Sequence, residues 1–176
     1  MKAKVITLQK NKLDKSPQGF MDPDIIFLLE IINKKYTTSS SCSGRITLIR
    51  GVKKGEVQWM YKTHTKASAS KIYSIIQKEG TLRFFYEPLI LHFQCKDKEQ
   101  AEKVLQMLQN NGFKKSYLRS FKHWTIEIND TGSIETIVTK ELSKEYIKFL
   151  VKEANLRLKK TKENIKKLEK LFLISF

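Results

Sequence analysis

Seven consecutive residues, Ser39 to Arg45, gather four hydroxyls, a thiol, a glycine and a guanidinium into one short stretch. The wider run TTSSSCSGRI, Thr37 to Ile46, offers little apolar surface to offset the conformational entropy lost on ordering it. Read as a loop, its glycine lets successive backbone N–H groups turn inward, and hydroxyls and Arg45 can join them around an anion or carboxylate. The same residues also read as a polar turn in which Arg45 caps a strand end. Cys42 adds a third chemistry, a thiolate nucleophile, although no base adjoins it in sequence.

A second grouping lies downstream. His64 closes the strand-like QWMYKTH, five residues after Trp59. An imidazole and an indole near a strand end can stack on a base or guide a proton, or be an exposed histidine behind a buried tryptophan. His92 and Cys95, three apart in HFQC, could be joined with Cys42, His64 and His123 as zinc ligands. On a strand, however, residues three apart point to opposite faces, so no metal is expected. The chain has no Walker A sequence, no G-x-G-x-x-G, no G-x-S-x-G and no H-E-x-x-H. Its seven glycines are too scattered to build a dinucleotide-type loop.

The elements that must position these residues follow from periodicity and punctuation. MDPDIIFLLEIINKK starts a helix over residues 22–34: Asp22 can cap, Pro23 suits the first helical position, and Asp24 favours the positive end of the dipole. RITLIRGVKKGEVQWMYKTH reads as a hairpin over residues 45–63, and KASASKIYSIIQKEG as a helix ending at Gly80. LRFFYEPLILHFQC is a long apolar run that Pro88 should split into two strand segments. A helix over residues 97–111 carries Asp97 as cap, Gln100 at the reciprocal position and Gly112 as stop. FKKSYLRSFKHWTIEIND is a further hairpin, so the order helix–hairpin occurs twice, a hint of internal duplication.

The last segment, residues 142–172, places Val151, Ala154, Leu158, Thr161, Ile165, Leu168 and Phe172 at alternating spacings of three and four. That stripe belongs to a long helix, packed on its own domain or pairing as a short coiled coil. The fold class expected is α+β: a mixed sheet covered by helices, with a catalytic domain over residues 1–141 and a long basic helix over 142–176.

Composition bounds the partners. The 176 residues carry 34 Lys and Arg against 18 Asp and Glu, a net charge of +16, and 29 of those cations are Lys. Such a balance suits a polyanion, nucleic acid first, or serves solubility. Two unpaired cysteines and no apolar run long enough for a leader or a bilayer span lead to the expectation of a soluble, cytoplasmic protein without disulfides.

Five blocks occur in order: TTSSSCSGRI, KKGEVQWMYKTH, FFYEPLILHFQCKD, NNGFKKS and LVKEANLRLKKTKENIKKLEKL. With the lead-in LDKSPQGFMDPDIIFLLEIIN, they resemble the wybutosine-synthesis tRNA 4-demethylwyosine N(4)-methyltransferases over about residues 11–170. The compact length suggests the archaeal form of that family. Its first motif falls on Thr38–Arg45, with Thr38 in place of a serine; its second falls on Lys54–Trp59, where Gly55 and Trp59 match and one glycine is missing. Glu87-Pro88, His92 and Asn155 also fall on family positions.

The resemblance implies S-adenosylmethionine-dependent methylation of a ring nitrogen on the tricyclic guanosine derivative at position 37 of tRNA(Phe), beside the anticodon, on a fold without the glycine-loop Rossmann pattern. It implies that Ser39, Ser41, Cys42, Ser43, Gly44 and Arg45 bind the cofactor, with Arg45 on its carboxylate. His64 and Ser40 are then the catalytic candidates, and Trp59 receives the flipped base. Lys159, Lys160, Lys162, Lys166 and Lys167 would hold phosphates of the anticodon loop. The rival function is a non-enzymatic basic RNA-binding module, and a thiol-dependent enzyme using Cys42 is a third.

Overall fold

The computed structural model describes residues 21–52 and 55–175. The strand or short helix expected over residues 3–14, most of the lead-in, and Lys54 lie outside them. The elements run α1 (Pro23–Ile32), β1 (Thr37–Arg50), β2 (Gln58–Thr63), α2 (Ala69–Glu79), β3 (Leu82–Gln94), α3 (Lys98–Asn110), β4 (Tyr117–Ser120), β5 (Thr125–Asn129), β6 (Ile134–Val138) and α4 (Lys144–Ile174). The α+β class is as expected. The strands hydrogen-bond in the order β2-β1-β3-β5-β4, with β6 also on β3, and the pairings described are antiparallel where a mixed sheet was anticipated.

Three local expectations change on inspection. The serine-rich run is not a loop but the first half of β1, because neighbouring strands supply a ladder that outweighs the weak strand preference of Ser and Gly. Thr38 anchors its start, donating from both N and Oγ1 to Asn33 Oδ1 at 3.0 and 2.8 Å. Pro88 does not split β3. The strand pairs with β6 over Leu82–Tyr86 and with β5 over Ile90–Gln94, so the proline with no N–H falls in the gap between two partners. Strand β6 had no sequence assignment at all. It alternates half-buried Ile134 and Thr136 with exposed Glu135 and Ile137, the mark of an edge rather than a core strand.

Helix boundaries follow their caps closely. Asp97 accepts from Gln100 N at 2.9 Å, while Gln100 Oε1 reaches back to Lys96 N at 2.7 Å, one residue earlier than a reciprocal box requires. Asp22 stands at the N-cap of α1 but makes no capping bond; its carboxylate is used elsewhere.

The chain forms two compact units. Among the described residues, one comprises residues 21–43 together with Leu89–Thr131 and residues 162–175; the other comprises residues 44–52 and 55–88 with Gly132–Thr161. Each has its own core. In the first, Ile25, Leu28 and Leu29 of α1 meet Leu91 and Phe93 of β3, Val104 of α3 and Ile126 of β5. In the second, Ile46 and Leu48 of β1 meet Ile72 and Ile76 of α2 and Phe84 and Tyr86 of β3. All seven stripe residues of α4 are buried. Val151, Ala154 and Leu158 serve the second core, and Ile165, Leu168 and Phe172 the first. The stripe is therefore intramolecular.

Candidate active site

Strand β1 carries the serine–cysteine–glycine–arginine motif, and the boundary between the two units falls between Ser43 and Gly44.

Within the first unit, Ser43 is fully buried and tied on two sides. Its N–H donates to Asp22 Oδ2 at 2.9 Å. Lys162 Nζ donates to its carbonyl at 3.0 Å and its Oγ at 2.8 Å, and pairs with Asp24 Oδ2 at 2.8 Å. An ammonium has three protons, and those three acceptors match them. The backbone donor that an anion nest would need at Ser43 is thus turned to the protein's own carboxylate. Ser39 and Ser40 are exposed, and Ser41 and Cys42 are half-buried, so these four carry the accessible hydroxyl and thiol groups of the motif.

Within the second unit, Gly44 is buried with φ at +88°, and a Cβ there would lie 3.0 Å from Thr161 Cγ2 and 3.3 Å from Leu158 Cδ1. Both the left-handed backbone and the approach of α4 require glycine. Arg45 grips Glu87 side-on, Nε to Oε2 at 2.5 Å and Nη2 to Oε1 at 3.0 Å. Its guanidinium carbon lies 5.1 Å from the centroid of the Trp59 ring, and Lys62 Nζ lies 5.5 Å from it. Trp59 keeps 47% of its surface exposed. His64 is half-buried, with Nδ1 3.0 Å from the carbonyl of Gly44. A carbonyl only accepts, so Nδ1 carries the proton and Nε2 is the basic nitrogen of the neutral ring. The segment after His64 is clamped by Asn155 of α4, which accepts from Ala67 N at 2.8 Å and donates to Ala67 O at 3.0 Å.

The structure thus brings Arg45, Trp59 and His64 into one unit, with Glu87 and Asn155 as partners that local sequence could not supply. The fork expected to hold a cofactor carboxylate is engaged by Glu87, 42 residues away in the chain. The five lysines of α4 are not one surface. Lys162 is committed to Ser43 and Asp24, and Lys166 holds the buried Glu169 at 3.0 Å. Lys167 lies 5.7 Å from the ring centroid of Phe113, and Lys159 and Lys160 are exposed. Among the other family positions, His92 Nε2 sits 2.7 Å from Glu127 Oε2. Cys95 is a free core thiol, pushed up to about 12 by burial and by Asp97, so it is no nucleophile. Cys42 is also free. No helix among the described residues is long and apolar enough to cross a membrane.

Comparison with known proteins places these features in context. A family model described as Methyltransferase TYW3 matches residues 2–173. The tRNA(Phe) 7-((3-amino-3-carboxypropyl)-4-demethylwyosine(37)-N(4))-methyltransferase of Thermococcus sibiricus is 34% identical over 180 residues, covering 92% of this chain and 91% of its own. The protein of the same name from Methanocaldococcus jannaschii is 32% identical over 160 residues, 83% of each chain. Among solved structures, the PH1069 protein from Pyrococcus horikoshii aligns with a TM-score of 0.78 and 32% identity, covering 86% of this chain and 85% of its own. A hypothetical protein from Aeropyrum pernix aligns with a TM-score of 0.70 and 27% identity, over 85% and 98% of the two chains.

Proposed function

The chain belongs to the TYW3 methyltransferase family, and from that premise we propose that it methylates N4 of the wyosine-type base at position 37 of tRNA(Phe), with S-adenosylmethionine as donor. The donor supplies a methyl group on a sulfonium, whose departure as a neutral thioether drives the transfer. The chain's polar groups suit such a ligand. On strand β1, Ser39 and Ser41 share one face and Ser40 and Cys42 the other, so either pair offers donors and acceptors to its amino-acid portion, and no phosphate-cradling glycine loop is called for.

Trp59, 47% exposed, offers indole surface against which the flipped base packs. Arg45, pinned by Glu87 and lying over that indole, orients it. We therefore read Arg45 as a positioning residue, in place of the carboxylate ligand that the motif alone implied. His64, whose Nε2 is buried in this structure, is our candidate to accept the proton that the ring nitrogen releases as its bond to the methyl carbon forms. Holding the two reactants together provides most of the acceleration. Exposed lysines of α4 hold phosphates, which position without specifying.

The observation that carries this reading is the Arg45–Glu87 fork held against Trp59, with His64 of the same unit taking its tautomer from the Gly44 carbonyl. The test is transfer of labelled methyl from S-adenosylmethionine to tRNA isolated from a strain lacking this gene, with the modified nucleoside identified by mass. Label appearing at position 37 supports it. A chain that binds tRNA but shows neither heat with S-adenosylmethionine nor label in the tRNA is the RNA-binding module instead.

A further inference from the structure

The first unit carries a second aromatic feature that the methyl-transfer reading leaves unused. Residues 113–124, FKKSYLRSFKHW, interleave Phe113, Tyr117, Phe121 and Trp124 with Lys114, Lys115, Arg119 and Lys122, and contain no Asp or Glu. In the structure these residues form the turn that precedes β4, β4 itself and the tight turn that leads into β5. Phe121 is 75% exposed at the turn, an unusual place for a large apolar ring, and its centroid stands 6.3 Å edge-on from Trp124. Trp124 is held at φ +44°, a left-handed conformation that a non-glycine residue adopts at a cost. Together they wall an apolar cavity of about 220 Å³ whose floor is Leu105, Leu118 and Ile126. Lys98, Ala101 and Glu102 of α3 complete its lining, with the Lys98 ammonium 3.5 Å from the Glu102 carboxylate and both side chains largely in solvent.

We propose that this hairpin turn is a second RNA contact, in which one unstacked nucleobase of the tRNA, other than the methylated base, stacks on Phe121 and enters the cavity. The claim rests on tRNA being the substrate. The chemistry favours a nucleotide over an apolar protein partner. An open aromatic ring gives sequence-tolerant stacking, and a cationic, acid-free ribbon complements a phosphate backbone. Lys114, Lys115 and Lys122 are exposed along the same ribbon.

Stacking and charge are separable by salt. A stacking contact changes affinity equally at all salt concentrations, whereas a phosphate contact changes the slope of log affinity against log salt. The experiment measures binding of the full-length chain to unmodified tRNA(Phe) and to oligo(U) over a salt series. Phe121→Ala is expected to weaken both roughly five- to hundredfold with the slope unchanged, and Phe121→Trp to restore affinity. Lys122→Glu is expected to flatten the slope instead. Phe121 is so exposed that its removal leaves melting temperature unchanged, which circular dichroism checks. Equal affinity of wild type and Phe121→Ala overturns the proposal, as does a loss confined to the slope. Labelled methyl transfer by wild type is run in parallel: its failure would strike the methyltransferase reading, while the affinity comparison judges the hairpin.

Discussion

The hairpin of β1 and β2 and the hairpin of β4 and β5 each hold a tryptophan, in contrasting surroundings. Trp59 is flanked by two cations, and one of them, Arg45, is itself fixed through a two-bond grip on Glu87. Trp124 is set by its backbone in a tight turn and by an edge contact to Phe121, with no ion pair in its support. Charge-assisted forks are directional, so they fix a ring's orientation as well as its presence. Apolar edge contacts fix far less. The difference separates a ring that can present one base to a reacting atom from a ring that can hold any base for affinity.

The contrast is broken most directly at Arg45. A displacement of about 1 Å at a reacting pair can cost on the order of a hundredfold in rate. Arg45→Ala is therefore expected to lower the single-turnover rate of methyl transfer roughly a hundredfold while leaving S-adenosylmethionine affinity within a few-fold. Arg45→Lys should recover little, because an ammonium cannot reproduce the fork to Glu87. Glu87→Gln should follow in the same direction at about a tenth of the size. If Arg45→Ala instead weakens S-adenosylmethionine binding in isothermal titration, Arg45 is a carboxylate ligand, and Glu87 is the group that the cofactor displaces.

The next effect concerns the cations that are not beside a tryptophan. Lys159, Lys160 and Lys167 are exposed, whereas Lys162 locks Ser43 and Asp24. Reversing the three exposed lysines to Glu is expected to reduce the steepness of the salt dependence of tRNA binding by about 2 in log–log slope, at roughly 0.7 per phosphate. Lys162→Met should leave that slope alone and lower thermal stability, since it strands the buried Ser43 hydroxyl and carbonyl. A filter-binding salt series on both variants decides it. A slope change in Lys162→Met would mean that this ammonium leaves its internal acceptors for RNA.

How much of this was legible in the residues divides by sequence range. The α4 stripe was readable because seven positions repeat one period, and Asp97 and Gly80 announced helix ends through local chemistry. The first half of β1 was not, because Ser39–Ser43 have no strand preference of their own; its extended form comes from neighbours distant in sequence. The same holds for partners. Glu87 lies 42 residues from Arg45, and Lys162 lies 119 residues from Ser43, so no spacing rule ties them. The motif could therefore be located as a place for chemistry, but the division of its members into lock and accessible donors required the fold. The lysines illustrate the opposite failure: five similar side chains on one helix read as one surface, and packing gave two of them internal acidic partners.

A smaller effect tests the pairing of β5, in the second aromatic hairpin, with β3, which carries His92. Gly44 supports the first hairpin by its backbone, and Gly44→Ala should lower the melting temperature by about 3–8 °C, from a left-handed penalty of about 1–2 kcal/mol plus the close approach to Thr161. The second hairpin is supported by titratable groups instead. Glu127 of β5 faces His92 of β3 and Tyr117 and Arg119 of β4, and Asn129 donates to it at 2.6 Å. Burial opposes the charge on Glu127, yet the hydrogen bonds from Arg119, Tyr117 and Asn129 hold its carboxyl below the ordinary 4.5. Burial also holds His92 below the ordinary 6.5, against the pull of Glu127 and with help from Arg119.

Both signs work the same way. A carboxylate with a depressed folded pKa stabilises above 4.5, and that contribution disappears as pH falls through the folded value. A histidine kept neutral in the fold contributes fully above 6.5, and loses this as the unfolded chain takes up the proton first. Melting temperature is therefore expected to fall in two stages on acidification, a shallow one starting near pH 6.5 and a steeper one below about 4.5. His92→Gln, which can still donate to Glu127, should remove the upper stage and keep the lower. Scanning calorimetry of the two proteins from pH 8 to 4 reads the difference directly. If the curves stay parallel through pH 6.5 to 5, His92 binds its proton equally in both states. The hairpin that offers Phe121 would then owe its pH response to Glu127 and its partners Arg119, Tyr117 and Asn129 alone.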